Sequence, residues 1–334
     1  MLKKILVTGG TGFLGSYLVE KLIKLKYKVL VVDNLQSKAS IHYINPKSTF
    51  IKGNILSVNI LKKIEKWKPQ IIYHLGAQSG GETAYDDSKY DLELNGHGTY
   101  LVSQLAKKIK IKHFIFASSV AVYGSNSKLI KESSPIRPDS IYGVSKYAGE
   151  QYVNLVFKNT DIKTTIFRIF NTYGPGENPF FLKKGIIKIY SSYVWQNKPL
   201  IIKGSLKRIR NVSYVDDVIN VLSETIKNKN LKKNEVINLT SGIKITVKEI
   251  VKAILKANNK KQYKIIQKNS TPGDSFNFNA SNKYLKTKFK TIKFRSLGSG
   301  LFLFFNWLNK IPRKGSVKNF HPLKIFKSQN NTKK

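Results

Sequence analysis

The sequence "KILVTGGTGFLGSYLVEKL" (residues 4–22) runs an apolar stretch, a glycine cluster and a helical pattern together without a break. "KILVT" is short and apolar, as a strand buried on both faces requires. Leu18, Leu22, Ile23 and Leu25 then recur at helical spacing. Gly9, Gly12 and Gly15 stand three apart at the junction. Between a strand and a helix, the first glycine permits a tight turn and the second lets the backbone approach a pyrophosphate. The third lets helix and strand pack closely. Phe13 and Leu14 open the helix, whose free N–H groups and positive end favour phosphate. "YKVLVVDN" (27–34) reads as the next strand and ends in Asp33 and Asn34. A carboxylate there accepts ribose hydroxyls and repels a 2′-phosphate, so NAD is the expected cofactor, with Lys38 close enough to leave NADP open.

Outward from this unit, "QIIYHLGA" (70–77), "KHFIFASS" (112–119) and "TTIFRIFN" (164–171) are further apolar runs. Helical patterns lie between them near 57–67, 94–110 and 142–158. This alternation predicts an α/β chain with a Rossmann-type, doubly wound parallel sheet. After residue 171 the regularity falls, which predicts a smaller, mixed α/β C-terminal substrate domain. The division expected is 1–171 with 212–239 for the dinucleotide domain, and 172–211 with 240–312 for the substrate domain. Residues 313–334 are basic and aperiodic and read as a loosely held tail. No internal repeat is evident.

The 334 residues carry 59 Lys and Arg against 19 Asp and Glu, a formal charge of +40. Only six of these are Arg, and the Lys are spread over the whole chain. A surface that reads phosphates favours clustered Lys with interspersed Arg, so no specific nucleic-acid partner is expected. The charge should still attract anionic small molecules. There is no Cys, hence no disulfide, thiolate nucleophile or thiolate metal site, and the five His lack metal-ligand spacing; no metal is expected. The N-terminus lacks a signal-peptide pattern, and "LFLFFNWL" (301–308) is too short to span a bilayer. The expectation is a cytoplasmic protein without a transmembrane segment.

"YGVSK" (142–146) places Tyr142 and Lys146 four apart, on one face of a helix. By themselves they are either a chemical pair or two amphipathic side chains on a half-exposed helix. Their surroundings make the choice. "TGGTGFLG" (8–15), "VVDN" (31–34), "GNI" (53–55), "HLGA" (74–77), Asn95, "ASSVAVYG" (117–124), "RIFNTYGPG" (168–176) and "RNVSYVDDV" (210–218) follow in order. In that order and spacing the chain resembles the extended short-chain dehydrogenase/reductase family, in its nucleotide-sugar epimerase/dehydratase branch, from about residue 3 to 310.

The resemblance implies a catalytic group of Ser119, Tyr142 and Lys146. Tyr142 would be the general base and acid, and Ser119 would orient the substrate hydroxyl. Lys146 would favour the phenolate and bind the nicotinamide ribose. It also implies that Asn54, Ile55, Leu75, Ala77, Asn95 and Phe170 contact or support NAD, Asn54 standing where the family often has Asp. Asn171, Arg210 and Asp274 would hold the nucleotide sugar. "TPGD" (271–274) departs from the family's Arg-x-Gly-Asp, with Thr271 in place of the Arg. Lys183, Lys184 and Lys207 are candidates to replace that charge. Phe278 supplies bulk that suits a plain hexose.

Val120 and Ala121 follow Ser119, where family members that dehydrate at C4–C6 carry an Asp-Glu pair. Neither side chain can move a proton. Chemistry at C4 alone remains: NAD-dependent 4-epimerisation of a UDP-glucose or UDP-galactose type of substrate, or 4-ketoreduction with NAD(P)H. A non-catalytic dinucleotide binder is a third reading, and the Ser/Tyr/Lys set counts against it. The resemblance also suggests a homodimer through the helices near 94–110 and 142–158, with Leu101, Val102 and Leu105 fitting the contact face and a core face equally well.

Overall fold

The computed structural model describes residues 3–125, 128–271, 275–313, 317 and 320–324. Seven parallel strands form the central sheet, in the order Asn234–Leu239, Lys163–Ile169, His113–Ser119, Ile71–His74, Lys4–Thr8, Lys28–Asp33, Thr49–Lys52. The first strand, Lys4–Thr8, pairs on both sides, Thr8 standing opposite Val32 and His74. The order reverses at this strand, and in open α/β sheets that is where a crevice for ligands forms beyond the carboxyl ends.

Strand pleating explains why the apolar runs are continuous. Ile5, Val7, Val29 and Val31 enter one buried cluster, while the alternate Leu6, Leu30 and Val32 enter another. Both faces are covered, so the runs are mostly apolar, and the polar exceptions such as His74 and Arg168 are hydrogen-bonded. The helices Val58–Trp67, Gly98–Lys108 and Ile141–Phe157 pack on one face, the last starting one residue before the expected pattern. The glycine-loop helix, Phe13–Lys24, and Val215–Glu224 pack on the other.

The C-terminal half adds a mixed sheet of Asn171–Tyr173, Ile209–Tyr214 and Lys244–Thr246, and a parallel pair of Leu200–Lys203 with Ile265–Lys268. Its helices Ile186–Trp195, Val247–Ala257 and Leu297–Leu308 share the apolar cluster of the glycine-loop helix. Strand Thr49–Lys52 was not expected: "TFIK" is too short and too polar at its ends to signal itself.

Of the two readings open for Val102 and Leu105, the structure takes the core: both are buried under the sheet. One expectation is corrected. Part of the basic tail is held firmly: His321 is fully buried against the glycine-loop helix, because its ring finds a hydrogen-bond partner and an aromatic neighbour there.

Three buried histidines give the fold a pH dependence. His74 bridges Thr8 Oγ1 (2.8 Å) and Thr99 Oγ1 (3.0 Å), and His113 meets Thr165 Oγ1 at 2.9 Å. Burial pushes His74, His113 and His321 each down to about 3, from about 6.5. The unfolded chain then binds more protons between those values. Stability from these groups is complete above about pH 6.5 and is lost as pH falls toward 3. Each contributes a slope of up to about 1.4 kcal/mol per pH unit. Urea unfolding at pH 7, 6 and 5 should show falling stability, and His113→Gln should flatten the slope by about one histidine's share.

Candidate active site

A single cleft of about 1080 Å³ runs from the glycine loop to the C-terminal half. Ligand pockets commonly hold about 300–1,000 Å³, so the volume suits two ligands bound side by side. Its floor is the carboxyl edge of the sheet: Gly9, Asp33, Leu75, Ser119 and Phe170 each sit at or just past a strand end and line it.

The dinucleotide half takes its shape from backbone. Gly9 has φ +67°, and a Cβ there would lie 2.8 Å from Gly76 Cα. A Cβ on Gly15 would lie 2.1 Å from Gly9 O and 2.7 Å from Gly10 Cα, so helix and loop touch through that missing side chain. Gly12 has no side chain to cap the helix, and Phe13, Leu14 and Gly15, which carry its opening N–H groups, line the cleft. Asp33 accepts the Thr11 and Leu35 N–H groups (3.1 and 2.8 Å) and still faces the cleft. Asn34 donates to Tyr90 Oη at 2.9 Å. Asn54, Ile55, Leu75 and Ala77 line the same end. Asn54 Oδ1 already accepts the Leu56 N–H (3.0 Å), which fixes its side chain locally. These groups form a cradle with a helix end whose Gly12 gives no side-chain cap, its Phe13 N–H meeting Ser40 Oγ, and an aimed carboxylate, which fits a dinucleotide. Gly15→Val should abolish NAD binding, since two backbone segments would have to part. Loss of bound NAD in folded protein, measured by calorimetry, checks this.

Asn95 is the exception among the expected cofactor residues. It lies fully buried behind the cleft, where Nδ2 donates to Gln78 O (3.0 Å), Asp91 (3.1 Å) and Ser145 Oγ (3.1 Å). It steadies the helix Ile141–Phe157 from the rear, through residues that a linear motif does not connect.

That helix starts at Ser140, whose side chain accepts the Gly143 N–H. Tyr142 and Lys146 occupy its first two turns and line the cleft with Ser119. Ser118, the neighbour, also lines the cleft, and its hydroxyl donates to Glu150. Burial pushes Tyr142 up to about 12, with the Ser119 hydrogen bond acting downward and Asp91 upward. Burial likewise pulls Lys146 down to about 8 against the opposing pull of Asp91 and Glu150. Its ammonium lies 4.4 Å from the Phe116 ring centre.

At the far end, Asn171, Arg210, Thr271 and Phe278 line the cleft. The Arg210 guanidinium lies 5.1 Å from the Phe278 ring centre, and burial, then Arg208, pulls it down to about 9. Asp274 lies outside the described residues. Lys207 is exposed and outside the cleft, whereas Arg208 is buried and inside it. Arg208 was missed, although "RIR" (208–210) carries the signal: alternate residues in an extended chain point to one side. Lys183 and Lys184 do line the cleft, but Lys183 pairs with Asp86 (2.7 Å) and Lys184 donates to Ser79. With Lys203–Glu82 (3.0 Å), they tie the C-terminal half to the loop after the fourth sheet strand. Glu177, raised by burial, sits beside Lys184 and Lys188, both lowered by burial. Among the described residues there is no His/Cys/Asp/Glu group able to hold a metal and no helix long and apolar enough to cross a membrane.

A phosphate-ready helix end and a Ser/Tyr/Lys group facing one cleft define a dinucleotide-dependent enzyme of the α/β class. The chain belongs to the NAD dependent epimerase/dehydratase family, whose model matches residues 5–240, and NAD is its cofactor. A putative UDP-glucose 4-epimerase of Methanocaldococcus jannaschii is 35% identical over 248 residues, covering 74% of this chain and 79% of the relative. The dTDP-D-glucose 4,6-dehydratase of Homo sapiens is 26% identical over 336 residues, covering 96% and 91%. The crystal structure of Thermotoga maritima UDP-glucose 4-epimerase with UDP-glucose superposes with a TM-score of 0.85 at 29% identity, covering 92% of this chain and 99% of that one.

Proposed function

We propose that the chain epimerises a nucleotide-activated hexose at C4, of the UDP-glucose/UDP-galactose type, through a transient 4-keto sugar. The observation that carries this is the cleft wall beside Ser119: Val120 and Ala121 line it, and neither can take or give a proton. An elimination across C5–C6 needs a base there, whereas chemistry at C4 needs only one proton acceptor. Relatives named for epimerisation support the same reading, and relatives named as dehydratases mark the alternative that the wall argues against.

Bound NAD supplies the reversible hydride acceptor. Ser119 orients the C4 hydroxyl toward Tyr142, which removes its proton and later returns it. Lys146 sets the local positive charge that ionisation of Tyr142 requires. Arg210 and Arg208 hold the diphosphate, and Asn171 and Asp274 the remaining nucleotide-sugar contacts. The dinucleotide is held by 1–171 with 212–239, and the sugar by 172–211 with 240–312. A homodimer belongs to this reading, through the outward Val144, Tyr152 and Leu155 of the Tyr142 helix, all exposed.

The test is purified protein with UDP-glucose or UDP-galactose and no added reductant, followed by NMR. Interconversion supports the proposal. Inertness of folded, NAD-loaded protein, with turnover of 4-keto nucleotide sugars only when NADH or NADPH is added, overturns it in favour of a 4-ketoreductase.

A further inference from the structure

The segment 320–324 sits against the cofactor loop, 305 positions away from it in sequence at the nearest contact. Trp307 Nε1 donates to Phe320 O (2.9 Å), anchoring the segment to the last long helix. The next residue, His321, is fully buried. Its Nδ1 accepts the Leu323 N–H (3.2 Å), so the proton of the neutral ring is on Nε2. Nε2 stands 2.9 Å from Ser16 Oγ and donates to it. Ser16 Oγ in turn donates to Phe13 O at 3.1 Å. A directed chain of hydrogen bonds thus runs from the C-terminal segment into the first turn of the glycine-loop helix.

The same ring fastens the neighbouring strands of the loop. It stacks on Tyr43, with centroids 5.0 Å apart and planes at 17°. Tyr43 N donates to Thr11 O (3.1 Å), inside the glycine loop, and Phe13 N donates to Ser40 Oγ (3.1 Å). Gly176 packs so close that a Cβ there would lie 3.2 Å from His321 Nε2, and its carbonyl accepts the Ile41 N–H at 2.8 Å. Three segments meeting at one imidazole are the ones whose residues Gly12, Phe13, Ser40 and Glu177 line the cleft. His321 itself does not line it, so any effect on the dinucleotide must pass through Ser16 and Tyr43.

We propose that His321 is a positioning residue for NAD: residues 320–324 clasp the first turn of the glycine-loop helix through Ser16, and the grip on the cofactor depends on this chain's own C-terminal segment. Binding to preorganised N–H groups is sensitive to small displacements, because ordering the loop otherwise falls on the binding step.

Full-length His321→Ala, His321→Gln, Ser16→Ala and the Ser16→Ala/His321→Ala double variant would be titrated with NAD by calorimetry, alongside the melting temperature without NAD. His321→Ala should raise the NAD Kd about tenfold or more. His321→Gln, whose amide N–H can reach Ser16, should restore it to within about threefold even where the melting temperature stays low. Ser16→Ala should weaken NAD in the same direction, and the double variant should be no worse than the worse single. A Kd within about twofold of the parent for His321→Ala overturns the proposal. So does additive loss in the double variant, or a Kd for the Gln variant as poor as that for Ala. If His321→Ala does not fold, Ser16→Ala alone decides: an unchanged NAD Kd in that variant overturns the clasp.

Discussion

Tyr142→Phe is expected to lower turnover by about 10³-fold while NAD remains bound, since positioned acid–base groups contribute about 10²–10⁴. The change removes one oxygen from a half-buried ring that lines the cleft from the first turn of its helix, so the fold has no reason to respond. What is lost is the phenol held against Ser119 at the cleft. Burial pushes that phenol up to about 12. The proposed base must ionise lower than this to work at neutral pH, and a positive charge brought against the ring acts in that direction. An ultraviolet difference titration of parent against Tyr142→Phe should therefore show the ionisation moving down when NAD is added. Turnover within tenfold of the parent in the variant would remove Tyr142 from the mechanism.

Glu150→Ala is expected to cost about 3–5 kcal/mol of stability, the usual penalty for stranding one partner of a buried ion pair. Glu150 is 1% exposed and Arg168 6%. Arg168 Nη2 and Nε meet the two Glu150 oxygens at 2.7 and 3.0 Å, and Ser118 donates to the same carboxylate. Arg168 Nη1 donates to Tyr123 Oη (2.8 Å), which donates to Asn238 (2.7 Å). Removing the carboxylate leaves a guanidinium buried among groups too weak to compensate it. Glu150 lies one turn beyond Lys146 on the same helix, so the pair also pins the catalytic helix to the sheet strand Lys163–Ile169. The Glu150→Ala/Arg168→Met double variant should recover much of the loss, because no lone charge remains. Urea unfolding of both variants checks this, and a single-variant cost below about 1 kcal/mol would show that the pair is not the strut described.

The sheet and the dinucleotide half were legible because their signals are local. A doubly covered strand must be mostly apolar, and a phosphate loop must carry glycines where backbone touches backbone, as Gly15 against Gly9 does. Ser119, Tyr142 and Lys146 were legible for a related reason: each belongs to a short motif on one element. The substrate end was less so. Arg208 was overlooked for Lys207, because the identity of the cleft-facing residue depends on how an irregular segment turns. Val102 and Leu105 looked the same as contact residues or core residues, since helical periodicity states that a face is apolar without stating what covers it.

By itself, then, the sequence determined the strand–loop–helix unit and the preference for NAD, which rest on chemistry within a few residues, and its resemblance to a family singled out Ser119, Tyr142 and Lys146, which line one cleft. Only the tertiary structure decided which residues stand behind that group and what the C-terminal segment does. Asn95, Glu150 and His321 act on partners far away in the chain, and a contact across 305 positions has no period or spacing to announce it. A tail that is basic and aperiodic looks free in sequence, and its residues 320–324 are held here because one neutral, buried imidazole finds Ser16 and Tyr43.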